Sequence, residues 1–347
     1  MKIIKLSDIK LIPIPNTISR EDISDEVYFS KKYKDYISNS RLKLINPKQD
    51  GSPKTYLRGF NGETTQSLQI GSGVHCMLLQ PNEFELAPML DKPSAKLGNV
   101  IDKIIKYRKN KWSIYKSIKQ ACLDCSYYVN QIDRQIPNII KKGFKYYWNH
   151  KLYEDKKYIH LCERDRNTVI SCLESCNRNK FLLDKLNPKD IFGDLCAQSF
   201  NEDTFFMDIA CVYKNKACVL KLKLKADNWT IDIENKKLVL NDLKTTGHFV
   251  DTFMNHDGSF YNFHYGRQLA LYTWVLIEYA KQKYGFDKKT WTYECNILAV
   301  QTIPPYDTGV FKVSNSLLKQ GKQEYEELLK RVGYHTMFGF DRSVDFI

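Results

Sequence analysis

Three residues in two neighbouring segments, Asp227, Asp242 and Lys244, are of the types that metal-assisted hydrolysis of phosphate esters requires. Two carboxylates supply hard oxygen ligands for Mg²⁺, which keeps several of its waters when a protein binds it. The metal lowers the pKa of a bound water and offsets charge on the phosphate, and a nearby lysine can orient the water or stabilise the developing charge. The alternative is a surface strand with an ordinary Asp–Lys pair, because Asp-x-Lys alone is a weak signal.

Alternating residue types predict the strands that would carry these side chains. Segment 220–227 alternates apolar and charged residues, so one face of a strand would be charged. The charged face consists of Lys221, Lys223, Lys225 and Asp227, and the apolar face of Leu220, Leu222, Leu224 and Ala226. Asp242 and Lys244 share a face of the next strand because they are two residues apart. With a turn at 234–237, the two strands can pair as a hairpin in which Asp227 and Asp242 meet.

The next predicted helix, 262–284, adds two polar side chains. Gln268 and Tyr272 lie one turn apart on one face, where both can hydrogen-bond to a phosphate or to the carboxylates. Further strands are predicted at 204–212, 217–226, 237–243 and 291–301, and a closing amphipathic helix at 314–332. Nearer the N-terminus, the sequence predicts a capped helix ending at 46–47 and a glycine turn leading into an apolar helix at 70–79. Strands flanked by helices predict an α/β (α+β) core.

Segment 101–150 reads as helical and carries much of the positive charge. It holds eleven lysines and arginines against three aspartates, a net charge of +8, whereas the whole chain has +13. Aromatic residues are interleaved with these basic groups. One interpretation is a DNA-binding track, because basic groups hold phosphates and aromatic faces stack on bases. The other is an amphipathic helical hairpin whose aromatic residues pack inward, and the two are compatible.

Composition excludes several classes of protein. The 347 residues are 43% hydrophobic and 27% charged, which is ordinary globular usage. No stretch of 18 residues is continuously apolar and the N-terminus does not resemble a signal peptide, so no membrane association or secretion is expected. The ten cysteines are expected to be free thiols in a reducing cytoplasm. Neither a phosphate-binding loop nor a serine-nucleophile elbow is present in the sequence.

The order of the motifs resembles the PD-(D/E)XK nuclease superfamily in its RecB-like branch, closest to the RecE-type and lambda exonuclease-like phage exonucleases. The resemblance rests on Asp227, then Asp242-Leu-Lys244-Thr-Thr, then Gln268-x-x-x-Tyr272. Upstream, 71–84 is similar to the glycine–histidine motif of that branch, and 36–47 to its N-terminal segment. The resemblance covers about 35–85 and 215–280. It implies a restriction-endonuclease-like core, a central mixed β-sheet flanked by helices, with a helical N-terminal elaboration.

By position, the resemblance implies a role for each candidate residue. The metal ligands would be Asp227, Asp242, the backbone carbonyl of Leu243 and, as a further candidate, Glu202. Lys244 would be the catalytic lysine, His75 would lie near the metal or the scissile phosphate, and Gln268 and Tyr272 would line the site. The DNA contacts would be Thr245, Thr246, Arg267, Lys221, Lys223 and Lys225. A helix-packing histidine is the alternative for His75.

One position departs from the pattern of the family, which has a glutamate before the first aspartate. Gln198 stands where that glutamate is expected. Glu202 or Asp203 would take its place if the register is shifted. Without such a substitute, a second metal would bind weakly and activity would be slow or lost.

The resemblance implies a DNA exonuclease that uses Mg²⁺, with Mn²⁺ able to substitute, and that acts in phage recombination or DNA processing. The implied partners are linear duplex DNA ends, a single-strand annealing protein and further copies of the chain in a homo-oligomer, in the cytoplasm, that of the host for a phage protein. Two alternatives stay open. One is an endonuclease or single-strand nuclease on the same core, and the other is a degenerate nuclease fold that serves as a DNA-binding or virion-structural protein.

The sequence suggests three regions. Residues 1–60 would pack on the core as an N-terminal segment. Residues 61–190 would be mainly helical and include the basic segment 101–150. Residues 191–347 would form the nuclease core with its C-terminal helix. The three are interpreted as one composite domain.

Overall fold

The computed structural model describes residues 2–59, 65–88, 90–93, 95–155, 157–188, 197–341 and 344–347. These residues form two compact units. The core unit consists of Met1–Gln80 and Asn167–Ile347, and the helical unit of Pro81–Arg166. The boundaries suggested by the sequence lie elsewhere, after residues 60 and 190, and the interpretation as one composite domain stays a prediction.

The strands of the core unit form a mixed seven-stranded sheet and a small two-stranded one. They are β1 (Lys2–Ile4), β2 (Ile9–Pro13), β3 (Ser19–Glu21), β6 (Gln198–Tyr213), β7 (Lys216–Asp232), β8 (Lys237–Thr246), β9 (Thr292–Gln301), β10 (Thr308–Lys312) and β11 (Val344–Phe346). Two short strands of the helical unit, β4 (Glu85–Leu86) and β5 (Tyr158–Ile159), pair with each other. The large sheet has the order β10-β9-β8-β7-β6-β2, with β3 also on β6. Only the β8–β9 pairing within this sheet is parallel among the described strands.

The helices of the core unit flank this sheet. They are α1 (Asp25–Tyr28), α2 (Asn39–Lys43), α3 (Pro53–Arg58), α4 (Gln66–Leu79), α9 (Lys180–Leu186), α10 (Ser259–Asn262), α11 (Tyr265–Tyr284) and α12 (Asn315–Phe338). Apolar residues of α11 and α12 pack with one face of the sheet in a single large core, which includes Leu269, Val275 and Leu329. This is the predicted α/β architecture of a mixed central sheet flanked by helices.

The sequence located most of these elements correctly but misplaced several boundaries: α2 ends at Lys43, before the predicted 46–47, and β6 begins at Gln198, before the predicted 204. The predicted short helix is α2, and its cap is Ser38, whose hydroxyl accepts a hydrogen bond from the Arg41 amide at 3.2 Å. The predicted glycine turn before 70–79 is wrong, because α4 already begins at Gln66. Gly71 and Gly73 therefore lie inside the helix, where they are buried. Their small size serves packing rather than a turn.

In both β6 and β7, the side chains that face the core switch from one side of the strand to the other at one point along its length; this point is called the face exchange. The core side chains of β7 are Leu220, Leu222, Leu224 and Ala226 before that point, and Trp229 and Ile231 after it. In a regular strand, every second side chain lies on the same face. The predicted alternation therefore holds as far as Ala226, and after it the odd-numbered residues face the core. On β6, Glu202 has a positive φ of 54°, which is uncommon for a residue other than glycine. Its strand neighbours pair with Asn228 and Ala226, so Glu202 stands opposite Asp227.

The helical unit has its own apolar interior. Its helices are α5 (Ala95–Lys109), α6 (Ile114–Asp124) and α7 (Ile132–Leu152), and α8 (Glu163–Arg178) begins at its end. Ile101, Ile104, Ile139 and Phe144 belong to its buried cluster. Within the described part of the chain, no helix combines the length and the apolar character needed to cross a bilayer.

Candidate active site

The β7–β8 hairpin brings the two predicted aspartates together. Asn228 pairs with Asn241, and the same register places Asp227 opposite Asp242. The Leu243 amide donates a hydrogen bond to Asp227 Oδ2 at 2.8 Å. Pairing of antiparallel strands thus fixes one carboxylate against the backbone that carries the other.

Asp242 and Lys244 form a buried ion pair. Asp242 is 0% exposed, and its Oδ2 lies 2.6 Å from Lys244 Nζ, which is also 3.8 Å from Asp227 Oδ2. Burial raises the pKa of Asp242 to about 6, although Lys244 opposes the shift. Burial alone would lower the pKa of Lys244, but the two carboxylates outweigh it and raise that pKa. Lys244 is therefore held as an ammonium group beside both aspartates.

Helix α11 fixes the orientation of Asp242. Gln268 Nε2 donates a hydrogen bond to Asp242 Oδ1 at 2.9 Å. The other oxygen, Oδ2, is held by the ion pair with Lys244 Nζ. One turn further on, Tyr272 is 8% exposed, and burial raises its pKa.

A second group of side chains forms around Glu202. His75 Nδ1 lies 3.8 Å from Glu202 Oε1 and 3.9 Å from Asp227 Oδ2. Burial would lower the pKa of His75, but Asp227 and Glu202 outweigh it and raise that pKa. Burial would raise the pKa of Glu202, but His75 and Lys225 outweigh it and lower that pKa. The two strands and α4 thus hold a charged cluster at the face exchange.

This cluster fits a divalent cation. His75, Glu202 and Asp227 each offer one ligand atom, and these atoms lie within 4.8 Å of one another. Carboxylates suit Mg²⁺ and Mn²⁺, whereas imidazole favours transition metals. Asp242, which the strand register places opposite Asp227, offers a further carboxylate nearby. Among the described residues, the structure therefore offers Glu202 in the place of the missing glutamate.

Gln198 does not occupy that place. It begins β6 and pairs with Ile231, four residues along the strand from Glu202. Asp203 is turned to the other side, where it accepts a hydrogen bond from Trp229 Nε1 at 2.7 Å and pairs with Arg20. The structure thus favours the shifted register through Glu202. Residues 189–196, part of the segment compared with the family, lie outside the described residues.

The predicted lysine face is covered rather than free. Lys225 Nζ lies 3.0 Å from Glu202 Oε2 and 2.5 Å from Asp25 Oδ1. Lys223 is 8% exposed and donates to the Tyr28 carbonyl at 2.7 Å. Lys221 is exposed. Lys223 and Lys225 therefore hold the N-terminal segment and Glu202 in place, whereas Lys221 remains exposed.

The remaining predicted DNA contacts lie in different surroundings. Arg267 is 2% exposed and hydrogen-bonds to Asn39, Gln49 and Glu324, so the structure places it in a buried network. Thr246 is buried, with Oγ1 3.2 Å from Ser259 Oγ. Thr245 is half-buried. Of these three, Thr245 keeps a partly accessible side chain next to Lys244.

Helix α4 approaches the sheet closely at Gly71. A Cβ atom added there would lie 3.0 Å from Thr245 Oγ1. Any larger residue would therefore require Thr245 or α4 to move. Because His75 is one turn further along α4, this close approach positions the imidazole over the carboxylates.

A row of asparagines runs across four strands beside the candidate site, and sequence reasoning missed it. The row consists of Asn201, Asn228, Asn241 and Asn296, which are partners in the strand register. Asn228 donates to Asn201 at 2.7 Å, Asn241 to Asn228 at 2.7 Å, and Asn296 to Asn241 at 2.9 Å. Three of these asparagines directly adjoin Glu202, Asp227 or Asp242. An asparagine next to each of these three carboxylates is the sequence pattern that could have indicated the row.

The described fold is an α/β core in which a mixed sheet carries the candidate site. A family model described as a PDDEXK-like domain of unknown function matches residues 184–336, somewhat less than half of the chain. The match supports assignment to the PD-(D/E)XK superfamily of nucleases and does not single out the RecE-type branch. It contains Glu202, Asp227, Asp242 and Lys244, whereas His75 lies outside it.

Comparison with solved structures adds a distant likeness. A crystal structure from Eubacterium rectale, of a protein provisionally described as an exonuclease, has a TM-score of 0.46 and 14% sequence identity. The likeness covers 90% of this chain and 85% of that one. At this level it carries no argument about function. None of the curated protein sequences matches this chain.

Proposed function

We propose that the protein is a metal-dependent deoxyribonuclease that acts as an exonuclease on linear duplex DNA. One observation carries the proposal: Glu202, Asp227 and Asp242 stand in one row across β6, β7 and β8, and Lys244 lies beside two of them. Three carboxylates in one row, two of them beside a buried lysine, form the kind of charged cluster that functional sites contain. The superfamily match of residues 184–336 supports the same reading.

Glu202, Asp227 and His75 would hold the metal, with a carboxylate oxygen of Asp242 as a further ligand. When bound, a divalent cation supplies Lewis-acid stabilisation of the phosphate and lowers the pKa of water. The donor set is mainly carboxylate, so we expect Mg²⁺ to serve and Mn²⁺ to substitute.

The protein's own groups orient the reactants. Lys244 is a fixed ammonium group between Asp227 and Asp242, from which it can donate a hydrogen bond to a phosphate oxygen or to the attacking water. Gln268 keeps Asp242 in one rotamer through its hydrogen bond to Oδ1. Because these groups are already in place, little reorganisation is needed when substrate binds.

The finer parts of the proposal rest on the sequence resemblance. They are membership of the RecE-type branch, a role in phage recombination or DNA processing, transfer of single strands to an annealing protein, assembly into a homo-oligomer, and action in the cytoplasm.

Paired DNA substrates test the proposal. The protein is incubated with Mg²⁺ and either an end-labelled linear duplex or a covalently closed circle of the same sequence, with EDTA as the control. We expect release of label from the linear duplex, an intact circle, and no release in EDTA. Cutting of the circle would identify the endonuclease alternative instead.

Metal titration by calorimetry tests the alternative of a degenerate fold. We expect Mg²⁺ or Mn²⁺ to bind the wild type and to bind the Asp227→Asn variant more weakly. Absence of binding together with absence of cleavage would favour a DNA-binding or structural protein.

A further inference from the structure

One face of α7 is basic, exposed and free of acidic residues. Positions on this face recur at alternating spacings of four and three, so they form one stripe along the helix. The α7 stripe consists of Arg134, Asn138, Lys141, Lys145, Trp148 and Leu152. From residue 134 to the end of α7 the sequence has no aspartate or glutamate. The helix has 21 residues, so the stripe extends over about 30 Å.

The opposite face of α7 makes the apolar contacts of the helical unit. Ile139, Gly143, Phe144 and Tyr147 are its buried residues. The stripe is therefore not needed for the core of this unit. Trp148 is 54% exposed, so its indole ring is accessible to a ligand.

The charges of the stripe are available to a partner. No ion pair within the described part of the chain involves Lys141 or Lys145. Lys151 Nζ lies 5.4 Å from the centroid of the Trp148 ring, so a cation already helps to hold this ring at the surface. Free lysines next to an exposed indole make a surface that suits a polyanion with planar groups.

We infer that the α7 stripe binds single-stranded DNA, with Lys141 and Lys145 on successive phosphates and Trp148 stacked on a base. Lysines one helical turn apart have Cβ atoms about 5–6 Å apart, so they can contact neighbouring phosphates. A single strand exposes base faces for stacking, whereas a duplex keeps them covered. The inference rests on the proposed function in one respect, because that function makes a DNA strand the substrate or product of the chain.

Binding without cleavage tests the inference. Fluorescence anisotropy with labelled oligothymidine is measured in EDTA on the full chain carrying Asp242→Asn. In this background we compare Lys141→Glu/Lys145→Glu and Trp148→Ala with Lys319→Glu/Lys322→Glu, which makes the same charge change on exposed lysines of α12. Circular dichroism checks that each variant is folded.

We expect the α7 charge reversal to weaken binding at least tenfold. It should also reduce the salt dependence of the affinity by about 0.7 in log–log slope for each phosphate that the variant no longer neutralises. Trp148→Ala should weaken binding about tenfold, and Trp148→Phe should restore part of the affinity. The α12 control should bind like the parent.

Two results would overturn the inference: α7 variants that bind like the α12 control, or a parent protein that ignores oligothymidine and binds vesicles containing phosphatidylserine through the same residues. The proposed function fails separately. If the wild type cleaves no DNA but the stripe still binds oligothymidine, the inference stands and the nuclease proposal does not.

Discussion

The core unit and the helical unit both carry charge, but they place it in opposite ways. In the core unit, Asp242 and Lys244 face one another inside the protein and are held by Gln268 and the strand register. In the helical unit, Lys141 and Lys145 lie outside an ordinary apolar interior. Buried charges are strongly coupled and poorly screened, whereas exposed charges act nearly independently and are screened by salt.

This difference indicates which unit suits chemistry on a phosphate and which suits binding of a polymer. Chemistry on a phosphate needs a few groups in fixed positions, which only the packed sheet provides. Binding of a polymer needs many weak contacts, which an exposed helix face provides. Substitutions in the core unit should therefore act steeply and singly, and those on the α7 stripe gradually and in proportion to charge.

The largest effect is expected for Lys244→Met, which keeps the length of the side chain and removes its charge. We expect cleavage to fall by about 10³-fold, because a fixed donor near the reacting phosphate contributes on this order. Steady-state digestion of linear duplex DNA measures it. Lys221→Met, which changes an exposed lysine of the neighbouring strand β7, is the matched control and should change the rate only slightly. Equal effects at the two lysines would remove the special role of the buried one.

A large loss of stability is expected for Asn241→Ala in the middle of the asparagine row. The substitution leaves the side chains of Asn228 and Asn296 short of partners in the interior, so the free energy of unfolding should fall by about 2–3 kcal/mol. Urea denaturation measures the change. Asn201→Ala, at the exposed end of the row, should cost less. A similar cost for Asn241→Ala and Asn201→Ala would show that the row acts as separate side chains rather than as a network.

An intermediate effect is expected for Glu202→Gln. Loss of one carboxylate ligand should raise the Mg²⁺ concentration needed for half-maximal cleavage about 10–100-fold. Asp203→Asn is the matched control, because the neighbouring carboxylate binds Trp229 and Arg20 instead. It should lower stability and leave the Mg²⁺ requirement unchanged. The reverse pattern would transfer the ligand role to Asp203.

The smallest effect is expected for Gly71→Ala. The added methyl group contacts Thr245 Oγ1, so the Thr245 side chain or α4 must move by a few tenths of an ångström, at a cost of about 1 kcal/mol. Thermal unfolding measures the change in stability. In a Thr245→Ala background, which lacks the contacting Oγ1, adding Gly71→Ala should lower the stability much less than it does in the wild type. Gly247→Ala, with no atom within 4 Å of the new Cβ, should be neutral. An unchanged melting temperature in Gly71→Ala would mean that α4 adapts freely.

Local patterns in the sequence were enough to predict the hairpin and the helix that follows it. Alternation in 220–227 and the two-residue spacing of Asp242 and Lys244 determine which side chains share a face, and pairing of β7 with β8 brings the two aspartates together. The four-residue spacing of Gln268 and Tyr272 likewise survives in α11. These features depend on short-range geometry that the sequence states directly.

Long-range packing explains what the sequence could not predict. The positive φ of Glu202 and the face exchange of β6 and β7 depend on three strands and a helix meeting, so alternation alone could not place Glu202 beside His75. Arg267 follows a helical pattern that is compatible with DNA contact, yet Glu324 from α12 buries it in an ion pair. Which partner a charged residue contacts depends on the tertiary structure, and the spacing of residues along the sequence does not determine it.

The most direct test of the nuclease site is digestion of end-labelled linear duplex DNA with Mg²⁺ by the wild type and by Asp242→Asn. The asparagine keeps the shape of the side chain and an oxygen to accept the hydrogen bond of Gln268, and it removes the buried negative charge. We predict release of label by the wild type and none above the EDTA background by a variant whose circular dichroism spectrum is native. Digestion by Asp242→Asn at the wild-type rate would contradict the account.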